Sequence, residues 1–330
     1  MSSLRDSSNP PQSATTPARI LCLGPTPAAQ RVMVFRKLVL DAVNRSVNTL
    51  DGAAGKSINV AKVLKVLGEH PVAVGILGGS RGESLRATLV ALGIESDMVL
   101  VAAPARQCIT VIDESAGTHT ELVEESRPAS HDDYDQLIAI VRRRIPGCRA
   151  AVMSGTIPPG GPPDLYFQCA RLALEAGALA VVDSQGAPLM EALKAGPGLV
   201  KPNRQELAAT LNVEIKDQPA AQRAMRLLAE RGAQRVVITA GKDAALAFDG
   251  RQFWRILAPR IKPVNPIGSG DAFTAGLVSR LLRGDDLGEA CRWASATGTA
   301  NALTLMAGEV RRDDLGRLVQ QVEVEPIFGD

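Results

Sequence analysis

The sequence predicts an α/β protein: a three-layer α/β/α sandwich with a mostly parallel central sheet and a small β lid. Two observations carry this prediction. Short apolar runs, of the length typical of buried strands, alternate along the chain with longer segments whose apolar residues recur at helical spacing. The chain also has 330 residues, of which 45% are hydrophobic, and this is enough to bury a large core. Such an alternation favours parallel strands covered by helices on both faces.

The N-terminal half predicts several short strands around one clear helix. The apolar run at 20–23 ends at Gly24 and is typical of a buried strand. Residues 32–35 and 43–47 alternate poorly and are expected to form short, partly exposed strands, and residues 51–57 a loop. The remaining predicted elements of this half are a helix ending at Gly68, a strand at 72–77, a helix at 84–92, and a hairpin of 108–113 with 118–123.

The C-terminal half repeats the unit of strand and helix. Strands are predicted at 150–153, 179–183, 198–201 and 235–239, and helices at 163–176, 188–195, 205–211 and 220–231. A hairpin at 244–256 then precedes a glycine loop and a long apolar helix that ends at Gly284. No internal repeat is found.

Composition excludes several classes of protein. Lys and Arg number 37 and Asp and Glu 35, so a net charge of +2 gives no basic field for nucleic acid or an anionic membrane. Three scattered histidines and five unevenly spaced cysteines predict neither a metal site nor a disulfide framework, but reduced thiols in a cytoplasmic protein. Residues 1–18 are rich in Ser, Pro and Thr and predict a disordered tail before a single domain spanning 19–330.

The most informative stretch is the loop from Asn265 to Phe273. Gly268, Ser269 and Gly270 stand where a helix begins, so their backbone N–H groups and the helix dipole favour a phosphate. Asp271 follows in the first turn. It could be only a helix cap, yet a carboxylate beside a phosphate cradle can also take a proton from an attacking hydroxyl.

The same residues resemble the second signature of the PfkB family of ribokinase-like carbohydrate kinases. The resemblance implies that Asp271 is the general base, and that the amides of Gly268, Ser269 and Gly270 form an anion hole for the transferred phosphoryl group. It also implies ATP as the phosphoryl donor, used with Mg²⁺. The resemblance extends over nearly the whole chain, from about residue 20 to about residue 310.

A second loop, before the first helix, resembles the sugar-binding signature of that family. Gly55-Lys56-Ser57 does not fit a phosphate-binding Walker A loop, because position 50 is leucine where that pattern needs glycine. The resemblance implies that Gly55, Lys56 and Asn59 bind the sugar. Ala54 and Ser57 stand where the family has glycine, and their added side chains are expected to narrow the space for a ligand.

Two further segments match the nucleotide side of the family. Asn203 and Glu206 resemble its Asn-x-x-Glu motif, which implies a role for Glu206 at magnesium through water; taken alone they are an ordinary helix cap and first-turn acid. Thr239 and Gly241 resemble the turn beside the nucleotide, and taken alone they are a plain hairpin entry.

The substrate side resembles the 1-phosphofructokinase and tagatose-6-phosphate kinase branch, whose substrates are phosphosugars. Ser154 begins a segment of this branch, and Arg45, Lys56 and Arg106 are implied as ligands of the substrate phosphate, although each alone is more often a surface cation. Gln30 departs from the aspartate with which the branch grips sugar hydroxyls. An amide can donate and accept, but it lacks the charge that strengthens such bonds.

Two alternatives remain at this point: a kinase of the same fold for an unphosphorylated sugar or nucleoside, and a sugar-binding regulatory protein with weak catalysis.

The lid, near 32–47 and 108–123, is expected to close over the sugar and exclude water. The expected partner is therefore a small sugar or phosphosugar. A homodimer formed through the lid is a further expectation.

Overall fold

The computed structural model describes residues 17–327, so the expected tail lies outside the described residues except for its last two positions. The strands within this range are β1 Arg19–Leu23, β2 Ala28–Phe35, β3 Asn48–Ala54, β4 His70–Gly78, β5 Glu95–Val101, β6 Arg106–Asp113, β7 Thr118–Val123, β8 Ala150–Ser154, β9 Leu179–Asp183, β10 Leu199–Val200, β11 Val236–Ala240, β12 Asp243–Phe248, β13 Phe253–Leu257 and β14 Glu323–Ile327. The helices are α1 Lys56–Val66, α2 Gly79–Ala91, α3 His131–Arg144, α4 Leu165–Glu175, α5 Gly186–Leu193, α6 Arg204–Leu211, α7 Gln218–Glu230, α8 Ser269–Leu281, α9 Leu287–Asn301 and α10 Arg312–Val319.

The central sheet has ten strands in the order β14-β13-β12-β11-β10-β9-β8-β1-β4-β5. Its pairs from β11 to β5 are parallel, and the three pairs that add β12, β13 and β14 at one edge are antiparallel. The expectation of a mostly parallel sheet is confirmed. The carboxyl ends of the parallel strands therefore meet along one edge, where open α/β sheets bind their ligands.

Both faces of the sheet are buried under helices. In β1, Ile20 and Cys22 pack into the core shared with α1, α8 and α9, while Leu21 and Leu23 pack into the core shared with α3, α4 and α7. All four are fully buried. This explains why the strand is a continuous apolar run, since alternate residues face two different apolar layers.

A second sheet of four strands, in the order β3-β2-β6-β7, forms the lid. The predicted hairpin of β6 and β7 is present, with Cys108 opposite Val123. The prediction of a strand at 43–47 is wrong: Val43 is 87% exposed, in the connection between β2 and β3. The strand lies instead at β3, where a loop was predicted, because pairing with β2 overrides the low strand propensity of Gly52, Ala53 and Ala54.

The elements β5, α9, α10 and β14 were not predicted, although α10 carries its buried residues Leu315, Leu318 and Val319 at helical spacing. Ala18, which was expected in the tail, is 2% exposed and donates its N–H to Glu69 Oε2 at 2.7 Å.

Candidate active site

A cavity of about 310 Å³ lies between the lid and the carboxyl ends of the central strands. It gathers residues that are far apart in the chain but were predicted to act together. These are Gln30, Gly55, Lys56, Asn59, Arg106, Asn203, Glu206, Thr239, Gly268, Gly270 and Asp271.

The N-terminus of α8 forms one wall of the cavity. Gly268 is its N-cap residue, with φ of 84° and no side-chain cap, which leaves N–H groups of the first turn available to an anion. A Cβ at Gly268 would lie 2.8 Å from Ala307 Cβ, so glycine is required by both conformation and space. The Ser269 N–H already donates to Pro266 O at 3.2 Å.

Asp271 lies in the first turn of α8 with 7% of its surface exposed. Asn59 Nδ2, from α1, donates to Asp271 Oδ2 at 2.7 Å, while Asn59 Oδ1 has no partner among the described residues. Burial raises the pKa of Asp271 to about 7, and the nearby Asp183 carboxylate also raises it, while Lys56, Lys201 and the Asn59 hydrogen bond hold it down. A carboxyl group with this pKa can hold or release a proton near neutral pH.

Behind Asp271 lies a buried charged cluster centred on Asp183, at the end of β9. Its carboxylate accepts from Lys201 Nζ at 3.0 Å, from Thr274 Oγ1 at 2.8 Å and from Lys56 Nζ at 3.4 Å. Burial would raise the pKa of Asp183, but the two lysines and Thr274 hold it below its usual value. Asp183 therefore remains ionised and anchors two cations beside Asp271.

Lys56 joins the sugar loop to the Asn-x-x-Glu segment. Its Nζ donates to Glu206 Oε1 at 2.9 Å. Burial would lower the pKa of Lys56, but the carboxylates of Asp183, Glu206 and Asp271 raise it above its ordinary value. Lys56 is thus an ammonium group held beside Asp183 and Glu206 in the cavity wall.

Asn203 and Glu206 form a capping box at the start of α6. Asn203 Oδ1 accepts the Glu206 N–H, and Glu206 Oε2 accepts the Asn203 N–H, each at 2.8 Å. The ordinary capping role is therefore present, and the contact with Lys56 is additional to it. Both carboxylate oxygens of Glu206 are engaged.

The lid supplies the opposite wall. Gln30 is 2% exposed; its Nε2 donates to Thr110 Oγ1 at 3.3 Å, and its Oε1 has no partner among the described residues. Arg106 Nε donates to Thr26 O at 3.2 Å, which holds the guanidinium at the cavity wall. Burial raises the pKa of Glu121, also in this wall, although Arg106 lowers it.

Four predicted residues do not line the cavity. Arg45 is exposed in the connection between β2 and β3, and Gly241 lies in the turn between β11 and β12. Ser154 ends β8, is 1% exposed, and has an Oγ without a partner among the described residues. Ser269 lies in α8 with its Oγ 3.4 Å from Asn301 Nδ2.

Sequence reasoning missed Asp183, Lys201 and Thr274. The available signal was positional, because Asp183 and Lys201 end adjacent parallel strands and must therefore meet at one sheet edge.

An α/β sandwich with a carboxylate beside a helix N-terminus that can bind phosphate is typical of a class of phosphoryl-transfer enzymes. Residues 19–310 match the family model described as pfkB family carbohydrate kinase, and the chain belongs to this family. It is 30% identical to the tagatose-6-phosphate kinase of Staphylococcus epidermidis, over 92% of this chain and 99% of the relative.

Two solved structures extend the comparison. The tetrameric inhibited form of Escherichia coli phosphofructokinase-2 matches with a TM-score of 0.83 and 28% identity, covering 92% of this chain and 98% of that one. The ribokinase of Arabidopsis thaliana, solved with ribose and ATP, matches with a TM-score of 0.72 and 18% identity, covering 93% of this chain and 99% of that one. The second likeness concerns the fold alone. Within residues 17–327, no helix is long and apolar enough to cross a membrane.

Proposed function

We propose that this carbohydrate kinase transfers the terminal phosphoryl group of ATP to a hydroxyl of a phosphosugar, of the fructose 1-phosphate or tagatose 6-phosphate type, with Asp271 as general base. The observation that carries the proposal is the state of Asp271. Its carboxyl group is buried at the N-terminus of α8, is held by Asn59, and has a pKa of about 7. A base of this pKa can accept the proton of a sugar hydroxyl as the hydroxyl attacks.

The transferred phosphoryl group carries negative charge that must be stabilised in the transition state. The backbone amides of Gly268 and Gly270 lie at the start of α8 and line the cavity, which supports this role for them. Lys56 adds a charged donor on the same side of the cavity as these amides. Its ammonium group pairs with Glu206 and Asp183 and does not point toward the lid. We therefore assign Lys56 to the transferred phosphoryl group instead of the substrate phosphate.

The substrate phosphate is assigned to Arg106. This residue lies in the lid wall and is fixed through its Nε, which leaves its terminal guanidinium nitrogens for a bidentate contact. Gln30 Oε1 and Asn59 Oδ1 are buried acceptors without partners among the described residues, and sugar hydroxyls would satisfy them.

The donor set fits Mg²⁺ that arrives with ATP as part of the substrate. Residues 17–327 contain no group of three or more His, Cys, Asp or Glu side chains arranged to hold a metal. Mg²⁺ is commonly held by phosphate oxygens and water with only one or two carboxylates. Because both oxygens of Glu206 are engaged, we infer that it acts through water. When bound, the ion would neutralise phosphate charge.

The lid also supports a homodimer. Leu40 and Val43, between its strands β2 and β3, are 86% and 87% exposed, and Val39 and Val47 beside them are also exposed. A second copy of the chain would cover this apolar segment. Sedimentation velocity is expected to give a dimer, and the double variant Leu40→Asp, Val43→Asp a monomer; a wild-type monomer at micromolar concentration would contradict this.

The kinase proposal is tested by measuring ADP release with Mg-ATP against fructose 1-phosphate, fructose 6-phosphate, tagatose 6-phosphate, fructose, ribose and adenosine. Turnover is expected on a phosphorylated ketose. Asp271→Asn is expected to lower kcat by about 10² to 10⁴-fold while ATP still binds. Turnover only on an unphosphorylated compound would support the first alternative substrate class, and sugar binding without any turnover would support a regulatory protein.

A further inference from the structure

A second cavity, of about 570 Å³, lies outside the active site and has a different chemical character. Its walls come from α1, the segment after α2, the lid strand β3 and the segment after α9. Its volume is within the range of sites that hold small organic molecules.

The floor of this cavity contains an unusual cation. Lys62 is 8% exposed, and its Nζ donates only to backbone carbonyls, to Ala307 O at 2.7 Å and Ala53 O at 3.3 Å. Burial lowers the pKa of Lys62, although the Glu309 carboxylate raises it. A buried ammonium without a paired anion is costly, and an anion beside it would be stabilised.

The mouth adds two more cations, Lys65 and Arg311, and one carboxylate, Glu309. No carboxylate of residues 17–327 lies within 4 Å of the charged nitrogens of Lys62, Lys65 or Arg311 in an ion pair. The cavity thus carries an excess of positive charge that the described protein does not neutralise.

The rest of the lining is mainly aliphatic: Leu50, Val66, Leu92, Ile94, Leu303 and Leu305. A fully hydrated ion such as free phosphate would leave this surface without a partner, whereas an apolar tail would cover it. From the excess of positive charge and the aliphatic lining, we propose that the cavity binds an amphiphilic anion. This is a small organic molecule with one acidic head group on an aliphatic body.

The position of the cavity connects it to the active site. Gly308, in its wall, packs so closely on Asn59 that a Cβ there would lie 2.8 Å from Asn59 Cα. The Gly308 N–H donates to Asn301 Oδ1, and Asn301 Nδ2 donates to Ile267 O in the glycine loop. A ligand that contacts Gly308 would therefore be connected to the sugar loop through Asn59 and to the glycine loop through Asn301.

Isothermal titration calorimetry on the full chain tests the binding site with octanoate, acetate and octan-1-ol. Octanoate carries head and tail, acetate only the charge, and octan-1-ol only the apolar body. We expect octanoate to bind with a Kd on the order of 0.1 to 1 mM, as its size allows, and the other two at least about tenfold more weakly. No octanoate binding, or equal binding of octan-1-ol, would overturn the proposal.

Charge reversal locates the site. The double variant Lys65→Glu, Arg311→Glu should raise the octanoate Kd about tenfold or more, because charge-assisted contacts are lost. The matched control Lys194→Glu, Lys216→Glu makes the same change in net charge at exposed positions away from the cavity and should leave Kd unchanged. Equal effects of the two double variants would overturn the assignment to this cavity.

Coupling between this cavity and the active site, through Gly308, is tested separately. Saturating octanoate should change the apparent KM for the sugar substrate that the panel identifies by about fivefold or more, which is the lower end of typical coupling between two sites. Unchanged kinetics would overturn the coupling. The calorimetry uses neither nucleotide nor sugar, so a failure of the proposed kinase function would leave the binding result intact.

Discussion

Asn59 Nδ2 donates a hydrogen bond of 2.7 Å to Asp271 Oδ2, and this contact joins two residues that are 212 positions apart in the chain. It links the first turn of α1, which follows the loop proposed to bind the sugar, to the first turn of α8, which follows the proposed phosphate loop. One carboxylate oxygen of Asp271 is thus held, and under the proposed function the other is left for a substrate hydroxyl. The orientation of the proposed base therefore depends on a residue next to the proposed sugar loop.

The pH dependence of catalysis should report the raised pKa of Asp271. The base must be ionised to accept a proton, so kcat/KM is expected to fall as the pH drops through about 7. An aspartate with an ordinary pKa would keep the enzyme active to about pH 4. A profile of kcat/KM from pH 5 to 9 measures this, and full activity at pH 5 would contradict it. The phosphate group of a phosphosugar also ionises near pH 6 and would itself change the profile. The Asn59 variant described next is the control for this effect.

Asn59→Ala removes the hydrogen bond that favours the ionised form of Asp271. The acid limb of the pH profile should move to higher pH, and kcat/KM at pH 8 should fall about 10- to 100-fold. Ionisation of the substrate is the same for both proteins, so any difference belongs to the enzyme. Asn48→Ala, at an exposed position of β3, is the matched control. An acid limb at the wild-type position would show that Asn59 does not set the pKa of the base.

Replacement of Lys56 separates two roles for its charge. If Lys56 stabilises the transferred phosphoryl group, Lys56→Met should lower kcat strongly with little change in KM for the phosphosugar. It should also move the acid limb upward, because Lys56 is the main group that lowers the pKa of Asp271. Lys56→Arg keeps the charge and should retain part of the activity. A rise in the phosphosugar KM with unchanged kcat would instead make Lys56 a ligand of the substrate phosphate.

Arg106 provides the complementary test. Arg106→Gln should raise the KM for the phosphosugar about 10- to 100-fold and leave kcat nearly unchanged, since a charge-assisted contact to a non-reacting group is lost. Arg45→Gln is the comparison, because this second predicted arginine is exposed outside the cavity. Steady-state kinetics on both variants decides the matter. A larger effect at Arg45 would reverse the assignment.

Residues in loops with distinctive chemistry could be found from the sequence. Gly268, Gly270 and Asp271 form a compact motif at a helix start, which the residues alone marked as a candidate phosphate site, whereas Asn59 was marked by its resemblance to the family signature. Asp183 and Lys201 could not be found in this way. Their role depends on the alignment of β9 and β10 in the sheet, and nothing local distinguishes an aspartate or lysine at a strand end from a solvated one.

The same reasoning explains the error in the lid. Val43 and Val47 have high strand propensity but lie exposed in a connection, whereas Ala53 and Ala54 have low propensity and form a strand. The pairing of β3 with β2 decides between them, and this pairing is a long-range interaction that a local pattern does not contain. The sequence therefore predicted which residues meet at one cavity better than it predicted the strands of the lid.

Asp271→Asn should remove turnover and yet stabilise the folded protein at alkaline pH. Burial raises the pKa of Asp271 to about 7 from 3.8, so the folded state binds this proton more tightly than the unfolded state. As the pH rises through the window between these values, the wild type loses stability, up to the order of a few kcal/mol, because a carboxylate must stay ionised in a buried site. A neutral amide avoids this loss.

Urea unfolding should therefore give the variant an advantage in free energy of unfolding that grows from pH 4 to pH 7 and is constant above it. Asp135→Asn, at an exposed position of α3, should show no such pH-dependent gain. A variant less stable than the wild type at pH 8 would mean that the electrostatic attraction of Asp271 to the nearby Lys56 and Lys201 outweighs the cost of its burial.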